Sequence, residues 1–462
     1  MNLEIQLVIK TQSGGERTQM VAELSRSDFS LDTLGLTLAE AKNILEKIQT
    51  VMAAEQAAAH IEGERPCKVC GDEHGVKGNH NLVLRTVFGK LKLQSPRWYT
   101  CCETGKGRSY SPLAARLSER TTPELLYLET RYSSLMSYGL SVDILGELLP
   151  IGRHLNATTV RRHQQRVAAR LEGELGEERP WFVSGCQLEW ANLPRPDAPL
   201  IVGIDGGYVH ARDGTDRKAG WFEVIAAKSY SEDQPGKCFA FVHTYDEKPR
   251  RRFFEVLSRQ GLKANQQVTF MSDGGDTVRQ LQLYITPHGE HILDWFHVTM
   301  RLTVMLQMLK GAAKVEAVGE AAKRLEVELT RAKWLLWHGN TYRAIATLDE
   351  TLDFDAKDVA AKADGAKQLP KLVREFRTYI ELNASFIPNY GDRYRHGERV
   401  STAFAESTVN QVITRRFVKK QQMRWTKRGA HLLLQTRTRV LNGELWGKFQ
   451  DWYPGMPKTK AA

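Results

Sequence analysis

"LIVGIDGGYVHARDG", Leu200–Gly214, sets an aspartate, Asp205, directly after an apolar run and directly before two glycines. A run of this kind reads as a buried strand, and its single carboxylate has two meanings. Either the strand reaches its polar edge at Asp205, or it presents a metal ligand there. Gly206 and Gly207 are expected to let the backbone turn at that point without crowding an ion or a phosphate.

Outward from this stretch, strands and helices follow in a recognisable order. "GWFEVIAAKSYS" (Gly220–Ser231) and "KCFAFVHTY" (Lys237–Tyr245) read as the next two strands of a meander, and "KPRRRFFEVLSRQGL" (Lys248–Leu262) as a helix. A fourth strand ends in Ser272-Asp273-Gly274-Gly275, and a fifth, in "EHILDWFHVTMRLTVML" (Glu290–Leu306), ends at Asp294 with His297 opening a helix. The order β-β-β-α-β-α-β-α is that of an RNase H-like α/β fold, whose first and fourth strands are adjacent. Asp205 and Asp273 are therefore expected on one edge, with Glu406 arriving from a late helix in "PNYGDRYRHGERVSTAFAESTVNQVITRRF" (Pro388–Phe417). Three acids gathered without a cation repel and partly protonate, whereas Mg²⁺ and Mn²⁺ seek such oxygen ligands. Clustered carboxylates imply cations.

Charge points to a polyanionic partner. The 462 residues hold 65 Lys and Arg against 54 Asp and Glu, a net charge of +11. Between Glu406 and Glu444 no acid occurs, while Arg415, Arg416, Lys419, Lys420, Arg424, Lys427, Arg428, Arg437 and Arg439 lie there. A solvated helix face mixes signs, so this run reads as phosphate-contacting; packing against acids of the helical insertion, such as Asp349, Glu350 and Asp353, is the structural alternative. No run approaches the ~18 apolar residues of a membrane span and no secretory signal is read, so a cytoplasmic protein is expected.

Residues 1–62 read as a strand pair and a helix, and residues 63–118 as a zinc-ribbon-like module. Cys67 and Cys70 form a C-x-x-C knuckle, a hairpin follows, and Cys101 and Cys102 return at its end; thiolates so spaced can share one Zn²⁺. Adjacent cysteines chelate a single ion poorly, which leaves His74 or His80 as a possible fourth ligand. Cys186 and Cys238 stand alone as small buried residues. Residues 119–178 read as a helix-turn-helix whose second helix, opened by Asn156 or Thr158, carries Arg161, Arg162, His163, Gln164 and Arg166 in the half that meets base edges. The RNase H-like domain would then comprise 198–300 and 396–450, interrupted by an all-helical insertion, 301–395.

The set "GIDGGYV", "SDGG", "DWFH" and "AFAESTVNQVITRRF", with the basic helix after it, resembles bacterial DDE transposases of the ISKra insertion-sequence type, which are related at fold level to Mutator-like enzymes. The likeness is loose over 60–178 and close over 198–445. It implies that Asp205, Asp273 and Glu406 are the metal-binding triad, and that Asp294 and His297 are a D-x-x-H motif beside the active site. Those two residues read equally as a strand cap with a satisfied histidine. The implied activity is binding of transposon ends in double-stranded DNA, two-metal cleavage, and joining of the 3′-hydroxyl to target DNA by a homo-oligomer. A nuclease without joining activity and a catalytically inactive DNA-binding regulator are the alternatives.

Overall fold

The computed structural model describes residues 1–10, 15–102, 108–152, 155–179, 188–189, 192–194, 199–212, 220–231, 234–275, 281, 289–353, 355–402, 407–417 and 423–458. The chain divides into two compact units, 1–168 with 443–462, and 169–442. Among the described residues no helix is long and apolar enough to cross a membrane.

In the first unit, β1 (Asn2–Lys10) and β2 (Glu16–Ser25) pair antiparallel and are followed by a helix at Leu38–Glu64. Thr37 starts that helix with a capping box: its hydroxyl accepts from the Glu40 N–H at 3.2 Å, and the Glu40 carboxylate accepts from the Thr37 N–H at 2.9 Å. Ile44 packs under Val21 and Ala22. Further along the same helix, Ala53, Ala57 and Ile61 meet Leu82, Leu91 and Leu93 of a second sheet. That sheet is the hairpin β3 (Val76–Thr86) and β4 (Gly89–Tyr99), with the short β5 (Ser109–Tyr110) beside β4. Helices Pro123–Leu135 and Tyr138–Leu148 and the start of Ala157–Glu174 close on Leu125, Leu145, Leu155 and Val160.

The second unit is built on a mixed five-stranded sheet: β6 (Leu200–His210), β7 (Trp221–Tyr230), β8 (Cys238–Val242), β9 (Val268–Ser272) and β10 (Glu290–Leu293), in the order β10-β9-β6-β7-β8. The meander β6-β7-β8 is antiparallel, whereas β9 and β10 run parallel to β6 on its other side. β8 and β9 are buried at every residue, as strands covered on both faces must be. The helix Pro249–Arg259 covers one face, with Phe253, Val256 and Leu257 against Phe239, Phe241 and Phe270. Between Trp295 and Arg395 the described residues are mostly helical, and Leu302, Leu325, Leu348, Phe376 and Tyr390 contribute to a second core of their own.

The opening stretch departs from its reading. The strand does not end at Asp205, and the chain does not turn at Gly206-Gly207; β6 continues to His210 because β7 pairs with it throughout, down to His210↔Trp221. Gly207 serves a close approach instead. A Cβ there would stand 2.8 Å from Ile413 Cδ1 and 3.4 Å from Val409 Cγ1, so the absent side chain admits the late helix onto the strand.

Charge is also buried in this unit. Arg252, 5% exposed, donates from Nε and Nη2 to Asp246 at 2.8 and 3.0 Å, and from Nη1 and Nη2 to Glu172 at 2.8 and 2.9 Å. Burial opposes the Glu172 charge, but His431 and Arg252 outweigh it and bring the carboxyl down to about 2. We expect Glu172→Gln to cost about 2–3 kcal/mol at pH 7. A lowered folded value stabilises above the unfolded carboxylate range, so the wild-type advantage should fade as pH falls from about 4.5 towards about 2. Urea unfolding of both proteins across that range checks the sign.

Candidate functional site

Strand register brings three aspartates into one row. β6 and β9 pair as far as Gly203↔Met271, and β10 and β9 as far as Leu293↔Ser272. Continued two residues, the first register sets Asp205 level with Asp273. Continued one residue, the second sets Asp294 level with Asp273, and the Asp294 N–H donates to the Ser272 carbonyl at 2.9 Å. Adjacent strands lie about 4.8 Å apart, so the acids crowd one edge of the sheet. Burial pushes the Asp205 carboxyl above its ordinary range; Asp273 and Asp294 push the same way, while His297 and the Gly206 N–H oppose.

Each acid is held differently. Asp205 Oδ1 accepts from the Gly206 N–H at 2.7 Å. Asp273 Oδ1 accepts from the Gly275 N–H at 3.0 Å, and the Asp273 carbonyl accepts from the Tyr379 hydroxyl at 3.0 Å. Gly274 between them has φ +89°, and a Cβ there would lie 2.5 Å from Asn383 Oδ1, so only glycine fits that turn. Asp294 is fully buried and committed to structure. It accepts from the N–H of Phe296 at 2.9 Å and of Thr402 at 3.0 Å, and from the Thr402 hydroxyl, with His297 Nε2 3.7 Å away. Asp294 thus caps the helix that carries His297. Next along the fold, the Tyr390 hydroxyl donates to the Leu293 carbonyl at 2.7 Å. Tyr379, Tyr390, Asn383 and Thr402 had no motif to announce them.

Glu406, Lys419 and Lys420 lie outside the described residues. Arg415 and Arg424 are exposed. Arg416 is not: it is 1% exposed, with its guanidinium 5.2 Å from the centre of the Trp425 ring. Val412, Ile413, Arg416 and Phe417 share one buried helical face, so the reading of Arg416 as a phosphate contact is corrected. Arg437 is buried too; it donates to the carbonyls of Gln411 and Val412 within a π-helical turn, Asn410–Thr414, and desolvation pulls its pKa down to about 10. On the helix Ala157–Glu174, Asn156 Oδ1 accepts from the Thr159 N–H at 2.8 Å, as an N-cap does, and Arg161, Arg162 and Arg166 are exposed. His163 and Gln164 face inward, toward Glu129 and the Tyr138 hydroxyl, and leave the expected base-reading row.

The cysteines do gather. One Sγ from each of Cys67, Cys70, Cys101 and Cys102 lies within 4.8 Å of the others, so the adjacent pair enters the cluster entire. Gly71, at φ +79°, closes the knuckle by donating to the Cys67 carbonyl at 2.9 Å. The N–H groups of Cys70 and Val69, with the Cys101 thiol, lower Cys67 to about 6, whereas its bond to Cys67 leads the causes that push Cys101 up to about 12. His74 Nδ1 is 3.8 Å from Cys101 Sγ, and its ring stacks on Trp98; His80 lies out on the hairpin opposite Ser95. Four thiols make a complete tetrahedral donor set for a metal ion. Cys238 is buried as expected, and Cys186 lies outside the described residues. A second group, Glu172, Asp246 and His431, also lies within 4.8 Å, but the Arg252 guanidinium already bonds both of its carboxylates.

A structural acid and a strained one should respond oppositely to neutralisation. Asp294→Ala leaves buried N–H groups without their acceptor, and should cost about 2–4 kcal/mol. Asp205→Asn should raise the melting temperature at pH 7, because the fold disfavours that charge, and the gain should vanish below the ordinary carboxylate range. Differential scanning calorimetry of both variants at about pH 3 and pH 7 tests the contrast. Comparison of the chain with protein-family models and with curated proteins finds no match to either.

Proposed function

We propose that this protein is a DDE-type DNA transposase built on an RNase H-like sheet, binding transposon ends in double-stranded DNA and catalysing cleavage and strand transfer. The observation that carries the reading is the row of Asp205, within β6, and Asp273, just past the end of the adjacent parallel strand β9, with the Asp205 carboxyl held above its usual range by burial and by like charges. The strand order, a three-stranded meander with two parallel strands beyond its first member, supports the RNase H-like assignment.

Oxygen donors that repel one another alone suit Mg²⁺ or Mn²⁺. Asp205 and Asp273 would hold the ions, with Glu406 as the third ligand that the resemblance implies. Bound there, such ions supply Lewis acidity and charge neutralisation at a phosphodiester. The chain's own part is to aim the oxygens: Gly206 and Gly275 through their N–H groups, and Tyr379 through the Asp273 carbonyl. DNA contact falls to the exposed Arg161, Arg162, Arg166, Arg415 and Arg424, with Lys419 and Lys420 assigned from sequence. Because two ends must meet, the working form is a homo-oligomer on DNA. Zn²⁺ on the four cysteines holds the amino-terminal module.

Asp205→Asn, Asp273→Asn and Glu406→Gln should each bring Mg²⁺-dependent strand transfer to background while end-DNA binding persists. Assays on labelled duplexes decide, and a joined product separates a transposase from a plain nuclease. An active Asp273→Asn beside a dead, folded Asp294→Asn would sink the assignment.

Metal analysis should find about one zinc per chain. Cys67→Ser, Cys70→Ser and Cys102→Ser should each lose it, and His74→Ala should keep it. Retention in Cys102→Ser with loss in His74→Ala would replace the four-cysteine set with Cys₃His.

A further inference from the structure

A cavity of about 780 Å³ opens beside Asp273 and is walled by two helices, Trp295–Ala312 and Leu369–Leu382. Its cationic groups are Arg301 and Arg374, both exposed, and neither has a carboxylate partner among the described residues. The contrast on the same helix is sharp: Arg377, one turn from Arg374, is paired with both Asp349 and Glu381. Arg301 is not loose either. Its guanidinium sits 4.2 Å from the centre of the Tyr379 ring, and the hydroxyl of that ring donates to the Asp273 carbonyl at 3.0 Å. A cation stacked on an aromatic face keeps its N–H edges available for other acceptors. One tyrosine thus holds an acid of the candidate site by its hydroxyl and an arginine by its ring.

We propose that this cavity is a phosphodiester-binding groove, in which Arg301 and Arg374 take successive phosphates of a nucleic-acid strand and lead it to Asp273. The inference deepens the transposase reading and rests on it for the strand's fate, but the binding itself needs no catalysis. Guanidinium forks match phosphate oxygens, whereas the Asp273 and Glu375 carboxylates on the same wall repel them, so attraction of the strand falls to the two arginines.

The test is a salt titration of the full-length protein with a labelled single-stranded oligonucleotide of mixed sequence, in EDTA so that no divalent cation contributes. Each phosphate contact on a single strand contributes about 0.7 to the slope of log K against log salt. Arg301→Gln with Arg374→Gln should therefore flatten the slope by about 1.4. Lys323→Gln with Arg331→Gln, which removes two exposed cations paired with Glu320 and Glu328, should leave it unchanged. An unchanged slope in the cavity variant, with an unaltered melting temperature, overturns the proposal. So does an equal fall in both variants, which would mean a diffuse field and not a groove. If only the cavity variant falls while the wild type never cleaves or joins DNA, the groove stands and the transposase reading fails alone.

Discussion

The parallel pairing of β9 with β6 on one side and β10 on the other is the constraint on which the acid row depends. Parallel strands share a direction, so their in-register side chains arrive at one level, here just past the ends of β9 and β10 and within β6. Hydrogen bonds between backbones thus do electrostatic work. They bring Asp205 and Asp273 to one level, where the Asp205 charge is disfavoured first by burial and then by Asp273 and Asp294. His297 eases the charge on Asp205 only in part, so burial and the neighbouring acids still set the direction in which its carboxyl moves.

The excess of positive charge is sorted by depth. Arg252 and Arg437 are structural, the first bonded to two carboxylates and the second to the backbone of a π-helical turn, and Arg416 lies over a tryptophan on a buried face. Arg161, Arg162, Arg415 and Arg424 remain at the surface. Net charge alone therefore overstates the cationic surface, since some of the guanidiniums that raise it are inside.

Much of the secondary structure was legible because its signals are local. The apolar runs at Leu200, Trp221, Cys238, Val268 and Glu290 are all strands, the first 62 residues hold the expected strand pair and helix, and the four cysteines meet. What sequence could not supply was direction and depth. Gly207 looked like a turn, whereas its missing Cβ answers Ile413, a residue two hundred positions away. Arg415 and Arg416 are alike on paper, yet about 100° of helix separates them and puts one outside and one within. Asp294 carried a motif, but nothing in it announced the bonds it accepts from Thr402, more than a hundred residues on. Tyr379 belongs to an amphipathic pattern like any other, and nothing in its neighbours marks the carbonyl its hydroxyl seeks.

Two phenols from the helical segment, those of Tyr379 and Tyr390, reach carbonyls at the tips of neighbouring strands, at Asp273 and Leu293. Those carbonyls belong to the last residues before the polypeptide leaves the sheet, where no ladder partner remains for them. Splicing the chain from Leu293 directly to Val400 would preserve all five strands and still strip both tips of their donors, at about 1–3 kcal/mol for each one left buried. The helices between are the far half of the vise in which the acid row is gripped, so a trimmed sheet would lose aim before it lost shape.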